Sequence, residues 1–342
     1  MLNFIEINDE NSNLWNNFIL NHDDASYSHL YEWKKILEES YSLNTKCLGV
    51  LNNNDLVAVL PVSVIKLPFN SSIGCSLPYL GYTGLLKNEK CLTYQLDDVF
   101  QSISKDLKIK SLEVRRIDHR VKESETGIST LKLLLPSDSS ILWENLNSKV
   151  RNQIRKAQKS GLTAEWGVEQ LDQFYNIYAK NMHDLGTPVH SKKFFNKIIF
   201  YLKEKVDILC IRKDNKVIAS MFLIKFRECL SDPWASSNKE YLSYCPNMLL
   251  YWEALKYGCE NGFTEFDFGR SHIDAGTYKF KTQWGAKPIP LIYDLYSIDN
   301  GKRESTISTY RGKKAALFSY LWKHIPFKIT LWLGPKLRKY IP

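Results

Sequence analysis

Apolar residues recur along this chain with two periods, every second residue and every third or fourth, and the switches between them mark out its elements. At the N-terminus FIEI (4–7) predicts a short strand. A helix opened by Asp9–Ser12 follows, carrying Leu14, Trp15, Phe18 and Ile19, and a second over Ser28–Tyr41 puts Leu30, Trp33, Ile36 and Leu37 on one face. Two strands, Thr45–Leu51 and Asp55–Leu67, flank the turn Asn52–Asn54. An apolar loop, Ser76–Leu86 with Gly81 and Gly84, leads to a helix over about 92–105, a strand Ser111–Ile117 and the apolar run Leu131–Leu135, where a first unit ends near Pro136.

The second half repeats this rhythm. Residues 139–160 predict a strongly basic helix, followed by a strand over Thr163–Trp166 and helices over about 169–184 and 191–202 on either side of the turn Gly186–Pro188. Strands Asp207–Lys213 and Val217–Phe226 form a hairpin about Asp214–Asn215, and Cys229–Ser237 adds a third. Pro246 begins a helix ending at Gly262 that sets Met248, Trp252, Leu255 and Cys259 on one side. Strands Glu265–Arg270 and Leu291–Ile298 complete the pattern. Helices alternating with a mostly antiparallel sheet give an α+β layout, and the shared order of the halves suggests a structural repeat.

Length supports two units, since 342 residues exceed one ordinary core. Net charge changes the picture more. Residues 301–342 carry ten Lys/Arg against one acid, Glu304, so the whole excess of +9 lies in this tail and residues 1–300 balance. Seven scattered cysteines without a CxxC pair argue for a reducing compartment, against a disulfide framework and against a metal site. The acidic N-terminus MLNFIEINDE has no apolar core of a signal peptide, and no run long enough to span a membrane is present, so a cytoplasmic protein is expected.

Candidate chemistry concentrates in Asp267–Pro288, DFGRSHIDAGTYKFKTQWGAKP, read as a strand broken at Gly269 and a loop delivering Tyr278, Lys279, Phe280, Lys281 and Trp284. With KVRNQIRKAQKSG (149–161), HDLGTPVHSKKFF (183–195) and PWASS…NMLLYWEALKYGCENG (233–262), this stretch resembles the FemA/FemB-like branch of the GNAT acyltransferase superfamily, nearest to its exopolysaccharide- and exosortase-associated subgroup. The resemblance covers about 140 residues strongly. It implies two tandem GNAT-like domains, at 1–136 and 137–300, with the basic tail appended at 301–342. It also implies transfer of an acyl or aminoacyl group onto an amine, as the best-known members do from aminoacyl-tRNA onto a peptidoglycan precursor. Where CoA-dependent members carry a glycine-rich turn before the phosphate-binding helix, this chain has YLSYCPNM (241–248), without glycine. Peptidoglycan-specific members often place a basic residue before the glycine matched by Gly186, where this chain has Asp184 and Leu185.

By the same resemblance Lys281 with Phe280 matches the Phe-Lys pair beside the reacting ester, where a fixed cation stabilises the oxyanion. Asp267 could take the amine's proton or bond the backbone of the FGRS turn, and the second reading is favoured; Asp232, before Pro233, reads first as a turn residue. Arg270 and Ser271 open the loop toward a phosphate or carboxylate, or Arg270 pairs with Asp267. Tyr278, Trp284 and Trp234 are expected to line the pocket. Arg151 and Arg155, four apart on an acid-free helix, would contact phosphate of a tRNA or of a lipid diphosphate. His183, His190 and His272 lack metal-ligand spacing and are read as polar or packing groups. No bound cofactor is expected; the donor is aminoacyl-tRNA, acyl-CoA or an acyl-carrier protein.

In the tail, basics alternate with Tyr310, Phe318, Tyr320, Trp322, Phe327, Trp332 and Tyr340, while Leu317, Leu321 and Ile325 fall at helical spacing, and Pro326 and Gly334–Pro335 are expected to break the helix. This reads as an amphipathic segment lying on an anionic membrane face, with contact to RNA or packing onto the first domain as rivals. The composite expectation is a peripheral acyltransferase on the inner face of the plasma membrane. It would act on a cell-envelope polysaccharide or peptidoglycan precursor, lipid-linked or free. An acyl-CoA-dependent amino-sugar N-acyltransferase and a non-catalytic membrane-associated binding module are the alternatives.

Overall fold

The computed structural model describes residues 2–67, 71–91, 96–297, 303–305 and 313–341. In chain order its elements are β1 (Leu2–Ile7), α1 (Ser12–Leu20), α2 (Trp33–Tyr41), β2 (Asn44–Asn52), β3 (Asp55–Leu67), β4 (Ser71–Cys75), β5 (Leu86–Lys87), α3 (Leu96–Asp106), β6 (Ser111–Ile117), α4 (Glu123–Thr126), β7 (Ile128–Leu134), α5 (Ser139–Asn145), α6 (Ser148–Lys159) and β8 (Leu162–Trp166). There follow α7 (Leu171–Leu185), α8 (Lys192–Leu202), β9 (Val206–Lys213), β10 (Lys216–Phe226), β11 (Cys229–Ser237), α9 (Pro246–Glu260), β12 (Glu265–His272), α10 (Gly276–Thr282), β13 (Lys287–Ser297), β14 (Arg303–Ser305), α11 (Lys313–His324) and α12 (Phe327–Arg338).

The chain folds into two compact units, one of residues 1–128, 290–309 and 337–342, the other of residues 129–289 and 310–336. In the first, the strand order is β1-β2-β3-β4-β6-β13, with β5 beside β3 and β14 beside β13. In the second it is β7-β12-β11-β10-β9-β8. Each sheet holds a parallel pair, β4 with β6 and β11 with β12, beside antiparallel ladders such as β2–β3 and β9–β10. The same order in both makes the repeat suggested by the pattern a real one.

Local sequence explains most of this. Asn53 and Asn54 take positive φ at the β2–β3 turn, a geometry that asparagine tolerates and that matches hairpin twist. Trp33, Ile36 and Leu37 of α2 are fully buried, each contributing roughly 1.5–3 kcal/mol of burial. Asn147 caps α6 by accepting from the Val150 N–H at 2.9 Å.

Several elements differ from the sequence reading. The chain divides after Ile128 and not near Pro136, because β7 pairs in the second unit's sheet, and the strand after β12 returns to the first. Residues 139–160 are two helices, interrupted at Leu146 and Asn147, since a side-chain cap starts a new helix more readily than it continues an old one. Gly269 takes positive φ but does not end its strand, and α10 replaces the expected loop. Gly334 and Pro335 lie inside α12. Residues 310–336 belong with the second unit, not the first, where the packing alternative had put them. The tail basics Lys302 and Arg311 lie outside the described residues.

Candidate active site

The parallel pair of the second unit provides the opening. β11 and β12 are paired only from Cys229–Ser231 to Glu265–Asp267, after which the pairing stops. Asp232 and the backbone of Gly269 and Arg270 therefore lie where a ladder would otherwise continue. In the first unit the corresponding ground is taken. Ser76 N–H donates to the Glu113 carbonyl and Thr83 N–H to that of Arg115, so the loop after β4 closes along β6. Gly84 comes so near Arg115 and Arg116 there that a Cβ would stand 2.6 Å from the Arg115 carbonyl oxygen.

Lys281, on α10, is 8% exposed, and its ammonium donates to the carbonyls of Gly269 and Arg270, 3.0 Å each. It thus caps two acceptors left by the ended pairing. Burial pushes its pKa below the ordinary lysine range, with the charge of Asp232 acting the other way. Asp232 is itself buried, and burial raises its pKa, while Lys281 and a hydrogen bond from Tyr251 hold it down. Its Oδ2 has no hydrogen-bond partner among the described residues. Tyr251, on α9, is pushed up by burial and by its bond to Asp232. Asp232, Tyr251 and Lys281 form a buried acid–phenol–amine group, and two of the three were given little weight or none in the sequence reading.

Asp267, whose charge also bears on Lys281 and Asp232, spends Oδ1 on the backbone beside them. Its Oδ1 accepts from Thr130 Oγ1 at 2.7 Å and from the Gly269 N–H at 2.8 Å, so it holds the turn of β12 in place. That is the backbone role favoured from the sequence. Ser271 Oγ donates to Thr277 Oγ1 at 3.2 Å and ties β12 to α10. Arg270 lies exposed, with its charge depressing the Lys281 pKa further.

Phe280 connects this group to a cavity. Its ring packs on Tyr251 at 5.0 Å and on Trp284 at 6.2 Å, edge to face. It also lines a cavity of about 560 Å³ formed by α6 (Lys149, Gln153), the start of α9 (Cys245, Asn247, Met248) and α10 (Gly276, Lys279, Gln283), among others. That volume suits a small ligand or the end of a larger one. Its lining has two lysines and no carboxylate, and it meets the N-terminus of a 15-residue helix that has no side-chain cap.

A family model for the Acetyltransferase (GNAT) domain matches residues 145–282, which hold β11, α9, β12 and α10. Residues 145–282 are thus similar to a GNAT acetyltransferase domain. GNAT architecture covers both units: FemX superposes with a TM-score of 0.65 at 14% identity, over 86% of this chain and 97% of that one. A tandem GNAT protein from the clavulanic acid biosynthesis pathway gives 0.55 at 8% identity, over 87% and 99%. The C-terminal domain of a putative lysylphosphatidylglycerol synthetase from Agrobacterium fabrum gives 0.52 at 11%, over 82% and 90%. No curated protein matches in sequence. The tandem GNAT expectation is thereby met at the level of fold.

Set in the GNAT domain, the remaining expected residues separate. Tyr278 and Trp284 pack in the core that contains Tyr251 and Phe268. Trp234 lies elsewhere, its ring against Phe194, Phe195, Phe222 and His190. The register shift between Phe222 and Ile224 turns β11 between Asp232 and Trp234. Arg151 and Arg155 turn toward α5: Arg151 donates to the carbonyls of Trp143 and Glu144, and Arg155 stacks over the Trp143 ring at 5.2 Å. The neighbouring face of α6, with Lys149 and Gln153, lines the cavity instead.

Proposed function

We propose that the second unit transfers an acyl or aminoacyl group from an activated ester to an amine of a cell-envelope precursor, with Lys281 stabilising the oxyanion. The observation that carries the proposal is the buried ammonium of Lys281, held by the carbonyls of Gly269 and Arg270 at the end of the β11–β12 pairing. Two of its three N–H bonds are used there, leaving one for a substrate oxygen. In the reaction the amine nitrogen bonds to the carbonyl carbon, negative charge gathers on the carbonyl oxygen, and collapse expels the ester oxygen. The amine gives up one proton and the leaving oxygen gains one. Asp232, with its raised pKa, is positioned to accept the first, and Tyr251 donates a hydrogen bond to it.

The cavity at the start of α9 would take the phosphate-bearing part of the donor, with Lys149 and Lys279 as its charges. The glycine-free turn YLSYCPNM favours aminoacyl-tRNA over acyl-CoA as donor. The helix N-terminus at the cavity keeps acyl-CoA as the second reading. Transfer of labelled acyl group from aminoacyl-tRNA and from an acyl-CoA panel onto amine acceptors separates the two. Amide formation that requires tRNA supports the first; thiol release supports the second. Neither product, together with full cellular function of Lys281→Ala, would point to a binding module.

A further inference from the structure

The last two helices carry an outward face that the acyl-transfer site does not use. Their inner side is fixed to the second unit. Trp322 and Thr330 are buried, and the backbone of Ser319 lies so close to Gly186 that a Cβ there would stand 2.3 Å from the Ser319 carbonyl oxygen. A Cβ at Gly334 would stand 2.9 Å from the Val189 backbone nitrogen, and His183 Nε2 lies 2.9 Å from the Ile325 carbonyl oxygen. With that side anchored, the other side must face solvent. On α11, Leu317, Tyr320 and Leu321 fall at i, i+3 and i+4, and they are 59%, 61% and 55% exposed. On α12, Ile329 and Trp332 are likewise exposed, Trp332 at 64%. Large apolar side chains at this exposure, all on the outer sides of adjoining helices, mark a surface that is covered in use.

Charge says by what. From Lys313 to Ile341 the chain has seven Lys/Arg and no Asp or Glu. Lys336 Nζ lies 3.5 Å from the Trp332 ring centroid, a cation set beside the aromatic. An identical face would repel this one, so a second copy is disfavoured. RNA would use the aromatics and basics but gains little from Leu317, Leu321 and Ile329, which have no ring to stack on a base. Aliphatic, interfacial aromatic and basic side chains together match lipid tails, headgroup boundary and anionic headgroups. No helix among the described residues is long and apolar enough to cross a membrane, so the helices would lie along the surface.

We infer that the outer faces of α11 and α12 dock the protein on an anionic lipid bilayer. The inference goes beyond the acyl-transfer reading and stands apart from it. Full-length protein is sedimented with vesicles of phosphatidylcholine alone and of phosphatidylcholine with phosphatidylglycerol. Pelleting with the mixed vesicles only, weakened by salt, is the expected result. Replacing Lys323, Lys328 and Lys336 by alanine should weaken binding about a hundredfold at low salt. The triple variant Leu317→Ser, Leu321→Ser, Trp332→Ser should lose binding with an unchanged thermal midpoint, because all three side chains are exposed. Equal pelleting with neutral vesicles, no pelleting with either, or binding retained by the serine variant would overturn the inference. So would a concentration-dependent dimer that the serine variant abolishes, which would assign the face to a second copy.

Discussion

The ammonium of Lys281 lies 3.0 Å from the carbonyl oxygen of Gly269, a residue that holds φ at +70° twelve positions earlier in the chain. The two depend on each other. Gly269 can present that carbonyl because it takes a left-handed backbone conformation, fixed by its N–H bond to Asp267. A Cβ at this position meets only the Asp232 carbonyl oxygen at 3.6 Å, an ordinary contact. Gly269→Ala should therefore destabilise through the backbone alone, by about 1–2 kcal/mol, and should lower turnover because Lys281 loses its seat. A thermal melt with an activity assay checks this; unchanged values for both would show that the turn does not set the lysine.

Burial of Asp232 makes stability depend on pH. Its folded-state pKa is raised by burial, up to about 7, above that of the unfolded chain. Its contribution is thus fully present below the unfolded carboxylate pKa, about 4, and is lost as pH rises through the folded value. Asp232→Asn removes this term. The variant should gain stability relative to the parent between acid and mildly alkaline pH, seen as a difference in thermal midpoint that grows upward in pH. A difference that shrinks with pH would mean that the carboxylate is held charged by Lys281.

The two faces of α6 should separate in kinetics. Lys149→Ala and Lys279→Ala should each raise KM for the donor about fivefold, equivalent to ~1 kcal/mol, with kcat little changed. Arg151→Ala should leave KM alone and cost about 1 kcal/mol of stability, since its guanidinium serves the carbonyls of Trp143 and Glu144. The reverse pattern would restore the arginines to substrate binding.

Gly186→Ala should unseat α11. The residue has φ of +73° at the end of α7, and the Ser319 backbone occupies the space of its Cβ. A loss of roughly 2 kcal/mol or more and faster proteolysis after α8 would follow. An unaltered digestion pattern would place the packing of α11 elsewhere.

The strands were the most legible part of the chain. Ser111–Ile117 and Cys229–Ser237 emerged from alternation with the bounds they have in the fold, because both are bordered by turn residues. What escaped had physical reasons. Asp232–Pro233 reads as a turn locally, yet lies within β11, where the irregular pairing opposite Phe222–Ile224 relieves the missing proline N–H. α10 is seven residues long and opens on glycine, too short to show a period. Tyr251 was invisible because one tyrosine on a mostly buried helix carries no sign of its partner. The facing of Arg151 and Arg155 was right as spacing, but their partner depended on the chain break at Leu146 and Asn147. That β7 belongs to the sheet of the second unit and β13 to that of the first leaves no trace in periodicity at all.

The central claim is that Lys281 is the electrostatic catalyst of acyl transfer. Steady-state transfer by Lys281→Met, a change that keeps side-chain length without charge, tests it most directly once an active donor and acceptor are in hand. A fall in kcat of about 10²–10³-fold, with donor KM near the parent value and the fold intact by circular dichroism, is the predicted result. A folded Lys281→Met protein with parental kcat would contradict the account.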